Sequence, residues 1–262
     1  MNKDDEKNYN SDMNEMMKFI KNSNYENKLV AFVDIMGMKN KILNSKKPDD
    51  FIMYNIILYM IKKQPFCFEK LQFLSFSDCM YIIADKGNEY ELLLSLSLLS
   101  YYMLFDSSLK ISNENTNECK GIKIVDCYKV RGGVTFGKVL SIPQNNIILG
   151  KATIEAYHLE NDIAVYPRII FDEYAINIIK ETKYFNYIEQ DDNDSVYYLD
   201  FIKLISAEAR FIAKDLKYID KIIEFVEEEC KKTVELKKKL EWYINYLKKH
   251  KKTGEENGDS NQ

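Results

Sequence analysis

The sequence predicts an α+β fold: a mixed sheet with helices on one face, followed by a C-terminal helical extension. Three observations carry that prediction. Between Lys28 and about residue 172, strand-like apolar runs and helix-periodic segments follow one another in the order β-α-ββ-α-β-α-β. Hydrophobic residues make up 46% of the chain, enough for a core, while four prolines and nine glycines are too few for a linker-rich protein. From about Ala207 to Lys252, apolar residues recur every three or four positions, at Leu216, Ile219, Ile223, Val226, Cys230 and Val234.

The elements follow in order. Residues 1–27 read as a polar arm without the apolar segment of a secretory signal. LVAFVDIMG is a β-branched, apolar run closed by glycine, a buried strand. NKILNSKKPDD is a polar connection, and Pro48 and Asp49 open a helix over FIMYNIILYMIKKQ. FCFEKLQFLSFSDCMYIIAD reads as two strands with a tight turn at Ser77 and Asp78. NEYELLLSLSLLSYYMLFD is a second helix, and SSLKISNENTNECKG is a polar loop. KIVDCYKVRGGVTFGKVLS is a strand pair or one bent strand, with Gly132, Gly133 and Gly137 permitting close backbone approach. GKATIEAYHLEND is a third helix, and IAVYPRIIFD and YYLDFIKLI read as further strands. The C-terminal region is one long helix or a hairpin. This divides the chain into an arm (1–27), a main domain (28–205), a helical segment (206–250) and a disordered tail (251–262).

Composition narrows the function. The net charge of −4 gives no basic surplus for phosphate contacts, so nucleic acid is not an expected partner. Five cysteines without a C-x-x-C pair, and only two histidines, argue against zinc and against a disulfide framework. The most apolar stretch, ELLLSLSLLSYYMLF, is shorter than a bilayer span and broken by serines. No membrane association is expected, and the expected location is cytoplasmic. The lysine-rich end reads as a solvated helical face that Trp242 and Tyr243 anchor to the core. GGVTFG is followed by no G-K-[ST], so it is not a P-loop.

Two carboxylates stand out. Asp34 lies inside the apolar strand beside Phe32, Val33 and Ile35, where a charge is costly unless paired or bound to a metal. Asp78 ends the strand LSFSD at a turn. If the two strands are neighbours, both carboxylates meet at one edge and suit a hard divalent cation. The competing reading is a hydrogen-bonded strand residue and a turn former.

In order and spacing, four strings resemble the class III nucleotidyl cyclases: FVDIMGMKNKI, FLSFSDCMYII, YKVRGGVTFGKV and GKATIEAYHLE. The resemblance covers roughly residues 29–172. It implies a ferredoxin-like cyclase fold. Asp34 and Asp78, with the Ile35 carbonyl, would bind two Mn²⁺ or Mg²⁺ ions, and Arg131 would lie near the phosphates. Purine cyclases carry a base-reading lysine where Leu74 stands and an acidic residue where Ile147 stands. Their transition-state asparagine and arginine fall near Ile154 and His158. His158 could donate to a phosphate if protonated. These departures, with the strings FSDCM, RGGVTFG, G-x-A-x-x-E-A-Y-x-L-E and YPRI, look most like the pyrimidine cyclases of bacterial Pycsar anti-phage defence. That implies UTP, or alternatively CTP, as substrate, and cUMP or cCMP as a messenger to a separate cyclic-nucleotide-binding effector. It also implies a homodimer with active sites at the subunit interface. Glu155 and Tyr157 sit on the matching helix and are either structural or line that site. Arg168, in a mostly apolar strand, is a candidate for the triphosphate or, equally, for a structural salt bridge. A catalytically silent nucleotide-sensing module and an RNA-binding ferredoxin-like module are the competing readings.

Overall fold

The computed structural model describes residues 24–38, 70–105, 109–111, 122–124, 127–142, 147–209 and 213–256, with positions 13, 14, 17 and 43. The expected helix over FIMYNIILYMIKKQ and most of the N-terminal arm lie outside the described residues.

Strand β1 (Glu26–Met36) is central because its LVAFV stretch is apolar on both sides and can be buried on both faces. Strands β2 (Leu71–Phe76) and β3 (Cys79–Asp85) form the expected hairpin. Its turn is Ser77 and Asp78, with Ser77 at φ 52°. The helix after it, α1 (Glu89–Phe105), is buried almost all round, its serines included. Strands β4 (Leu109–Ile111) and β5 (Ile122–Ile124) form a separate two-stranded ribbon. The glycine-rich string becomes one long strand, β6 (Lys129–Ile142), and its far end pairs with β7 (Ile147–Leu149). Helix α2 (Lys151–His158) ends in a single π-helical turn, Leu159–Ile163.

The second half departs from the sequence reading in places. Of IAVYPRIIFD only Ile169–Phe171 is strand (β8), and FDEYAINII continues as helix α3 (Glu173–Ile179). Asp172 starts that helix by accepting the Ala175 amide at 2.8 Å. Strand β9 (Ile188–Gln190) precedes β10 (Tyr197–Leu199). FIKLI is not strand but the start of helix α4 (Phe201–Glu208), because Asp200 accepts the Lys203 amide at 3.1 Å. The C-terminal region is a hairpin of α5 (Ile219–Cys230) and α6 (Val234–Glu256), so helix continues into the segment expected to be tail. Among the described residues no helix is long and apolar enough to cross a membrane.

The main sheet runs β2-β3-β1-β6-β8-β10-β9, antiparallel except where β8 lies parallel to β6. This is the expected α+β architecture with a mixed sheet, but helices lie on both of its faces rather than on one. Strand alternation sorts its residues into two layers. Leu29, Ala31, Val33 and Ile35 face a large core shared with α1, α3, α4, α5 and α6. Val30, Phe32, Ile83 and Val139 face Ala152 and Ala156 of α2, which forms a second, smaller layer on the opposite face.

That second layer depends on Gly133. A Cβ there would lie 2.3 Å from Leu159 Cβ, 2.7 Å from the Ala156 carbonyl oxygen and 2.8 Å from the Glu160 nitrogen. Helix backbone therefore rests on bare strand backbone. Tyr81 fastens the other side, donating to the Thr153 carbonyl at 3.2 Å.

A buried polar knot seats α6. Asp200 lies between His250 Nε2 at 2.9 Å and the Tyr246 hydroxyl, which donates to it at 3.0 Å. Tyr246 in turn accepts the Ile202 amide at 3.1 Å. Burial alone would raise the Asp200 carboxyl, but the bonds from His250, the Lys203 amide and Tyr246 outweigh it and hold the group below the usual range.

Gly133→Ala should push α2 off the sheet and cost about 2–3 kcal/mol, seen as a thermal midpoint several degrees lower. Asp200 supplies a second expectation. A carboxylate held low when folded adds stability that is complete above the unfolded value of about 4 and is lost as pH falls through the folded value. Asp200→Asn should therefore cost about 2 kcal/mol at pH 7. The gap to the parent should close as pH drops below about 4, measured by chemical denaturation at stepped pH.

Candidate metal centre

The site is a row of cross-strand partners on the α2 face of the sheet. Register places Phe76 of β2 opposite Cys79 of β3, Cys79 opposite Asp34 of β1, and Asp34 opposite Arg131 of β6. The neighbouring row runs Leu74, Tyr81, Phe32, Gly133. Residues directly opposite on one face are in contact range, so register alone brings Asp34 beside both the hairpin turn and Arg131.

Asp34, Asp78 and Cys79 each offer one ligand atom, and these atoms lie within 4.8 Å of one another. The Cys79 thiol donates to Asp34 Oδ1 at 3.4 Å. Burial raises the Asp34 carboxyl above its usual range, and the like charge of Asp78 adds to the shift. The Cys79 thiol, Arg131 and the Ile35 amide oppose it. Burial and the two aspartates push the Cys79 thiol up to about 12, so it stays protonated. Two crowded carboxylates, one of them reluctant to ionise, are what a bound divalent cation relieves. Their oxygen donors suit Mg²⁺ or Mn²⁺. The residues present fit such an ion, with Asp34 and Asp78 as its holders. Ile35 follows Asp34 with its side chain buried on the opposite face, which leaves only its backbone to contribute.

Arg131 is shared. Its Nη2 lies 3.8 Å from Asp34 Oδ2 and makes a short ion pair with Glu160 Oε1. Glu160 is 3% exposed and sits in the π-helical turn directly above Gly133. Burial pushes its carboxyl up to about 7 despite Arg131, and the charge of Asp34 reinforces the shift. The sequence reading does not single out Glu160. Its one signal is the Leu-Glu pair at the end of GKATIEAYHLE, which marks a helix end rather than a charge partner.

The other expected residues divide. Leu74 is half-buried on the same sheet face, one strand beyond Tyr81. Ile147 is half-buried in β7, opposite Ile142 at the far end of β6. His158 is exposed, with Nδ1 2.9 Å from Asp162, and Glu155 is exposed beside Lys151 at 3.8 Å. Arg168, a candidate for the triphosphate, is held elsewhere. Its Nη1 lies 2.6 Å from Asp191, its Nη2 pairs with Asp194, and the guanidinium lies 4.9 Å from the Tyr166 ring and 5.1 Å from that of Trp242. It joins α6 to the sheet.

An aromatic cluster flanks the carboxylates. Phe32 lies 4.8 Å from Tyr81, 5.5 Å from Tyr157 and 6.3 Å from Phe76, between ring centroids. Phe76 and Tyr157 stay 49% and 43% exposed, and Ile154 is exposed on the same helix as Tyr157.

No protein-family model matches the chain, and no curated protein matches it. Among solved structures it is similar to the monomeric guanylyl cyclase domain of the RhoGC fusion protein from the aquatic fungus Blastocladiella emersonii. The identity is 14% and the TM-score 0.46, over 67% of this chain and 95% of that one. The guanylate cyclase domain of RhGC from Catenaria anguillulae, in complex with GTP, aligns at 12% identity and TM-score 0.44, over 67% of this chain and 96% of that one. The adenylyl cyclase CyaB from P. aeruginosa aligns at 16% identity and TM-score 0.43, over 67% and 95%. A likeness this distant assigns no activity.

Proposed function

We propose that the chain is a nucleotidyl cyclase that converts a pyrimidine nucleoside triphosphate, UTP in preference to CTP, into the 3′,5′-cyclic monophosphate and pyrophosphate. One observation carries the reading: a strand carboxylate, Asp34, and a hairpin-turn carboxylate, Asp78, within 4.8 Å of one another and beside a guanidinium. In this reaction the ribose 3′-oxygen bonds to the α-phosphorus, the bond from that phosphorus to the pyrophosphate oxygen breaks, and the hydroxyl proton leaves to water. Bound divalent cations supply Lewis acidity, lowering the pKa of the hydroxyl and offsetting charge on the leaving group. Asp34 and Asp78 hold those cations, and Arg131 adds positive charge on the phosphate side.

The preference for a pyrimidine rests on Leu74, on the carboxylate face of the sheet, which offers no hydrogen bond to a purine edge, and on the resemblance to pyrimidine cyclases. A homodimer is supported by the half-exposed Phe76, Tyr157 and Ile154 beside the carboxylates, apolar surface that a second copy covers. The resemblance to anti-phage cyclases gives the cyclic product the role of a messenger to a separate binding effector. A binding module without turnover is the second reading. The observation behind it is that Ile154 and His158 are exposed, and the His158 ring pairs with Asp162.

Incubation with Mn²⁺ and each of the four ribonucleoside triphosphates, read by mass, should give cUMP, with cCMP as the lesser product. Asp34→Asn and Asp78→Asn should each lower turnover by roughly 10²–10³-fold. Tight binding of a pyrimidine triphosphate without cyclic product would establish the binding module instead.

A further inference from the structure

Asp34 and Arg131 are cross-strand partners, so their simplest arrangement is a direct ion pair. A guanidinium docked fork to fork on Asp34 would neutralise the carboxylate and occupy the oxygens a cation needs. The observed arrangement differs. Arg131 Nη2 lies 3.8 Å from Asp34 but makes its short contact with Glu160. Arg131 Nε, also buried, has no acceptor among the described residues, so the guanidinium is not placed for its own best hydrogen bonding. Glu160 can hold it there because the turn carrying Glu160 is seated on Gly133, two residues along β6 from Arg131.

We infer that Glu160 is a positioning residue that holds Arg131 away from Asp34, keeping the Asp34 carboxylate free to bind a divalent cation. The inference rests on the metal reading of Asp34 and Asp78. Without Glu160, the nearest anion for Arg131 is Asp34. The guanidinium and the cation would then compete for one carboxylate.

The test is Mn²⁺ binding to the full chain without nucleotide, followed by electron paramagnetic resonance of free Mn²⁺. Glu160→Gln keeps the side-chain shape and should weaken binding about tenfold, as loss of a supporting group commonly does. In an Arg131→Met background the same substitution should change affinity little, because no competing cation remains. Glu160→Asp is a milder second variant. It keeps the charge and shortens the arm, and it should also weaken binding severalfold. Thermal midpoints without metal identify variants that are folded. An equal loss from Glu160→Gln in both backgrounds would show that Glu160 acts by its own charge and would overturn the inference. So would unchanged affinity in Glu160→Gln, or in Glu160→Asp. Mn²⁺ binding that survives Asp34→Asn would sink the metal reading itself, which keeps the two failures apart.

Discussion

The C-terminal end of helix α2 can approach the sheet as closely as it does only where β6 offers it backbone without a side chain. At Gly133 the approach is so close that even a methyl group would collide with Leu159 and Ala156. This contact sets the height and tilt of the helix, and with them the place of Glu160. Elsewhere along the same row of the sheet, Phe32, Tyr81 and Leu74 carry side chains that fill the space beside the helix. The glycine is a gap in an otherwise filled row, and the helix end occupies it.

The electrostatics follow from that geometry. Arg131 is the shared partner of two acidic groups, one on its neighbouring strand and one from above. Neither pair is fully satisfied, and burial raises both carboxyls. A site of this kind is poor at stabilising a fold, because buried charge costs more than the pairing returns. Its arrangement is better suited to accepting further positive charge from outside.

Much of this was legible in the sequence. Strand β1, the hairpin with Ser77 and Asp78 at its turn, the helix α1 and the glycine-rich strand follow from apolar runs and turn residues, and the structure has each of them. The convergence of Asp34 with Asp78 needed only that β1 and β3 pair. Other features depend on single caps. FIKLI reads as strand by its β-branched residues, yet Asp200 starts a helix there. The strand reading of IAVYPRIIFD ends at Asp172, which caps a helix over EYAINII. Sequence alone does not decide between a phosphate and a carboxylate partner for Arg168, because Asp191 and Asp194 come from a distant loop that local pattern does not connect to it. Glu160 carries no local signal for a related reason: its partner is set by a close approach between helix and strand, which no periodicity encodes.

The seat of α6 bears on how small a working piece of this chain can be. The Gly132 amide, next to Arg131, bonds the Arg168 carbonyl at 3.1 Å, and the side chain of Arg168 lies against Trp242 of α6. Tyr246 of the same helix closes the first turn of α4. A fragment trimmed before Val234 to isolate the strands and the carboxylates would lose its C-terminal lid. It would leave a guanidinium, two aspartates and an apolar sheet edge uncovered one strand away from the chemistry. The C-terminal helix is in that sense part of the smallest unit that can hold the site in shape.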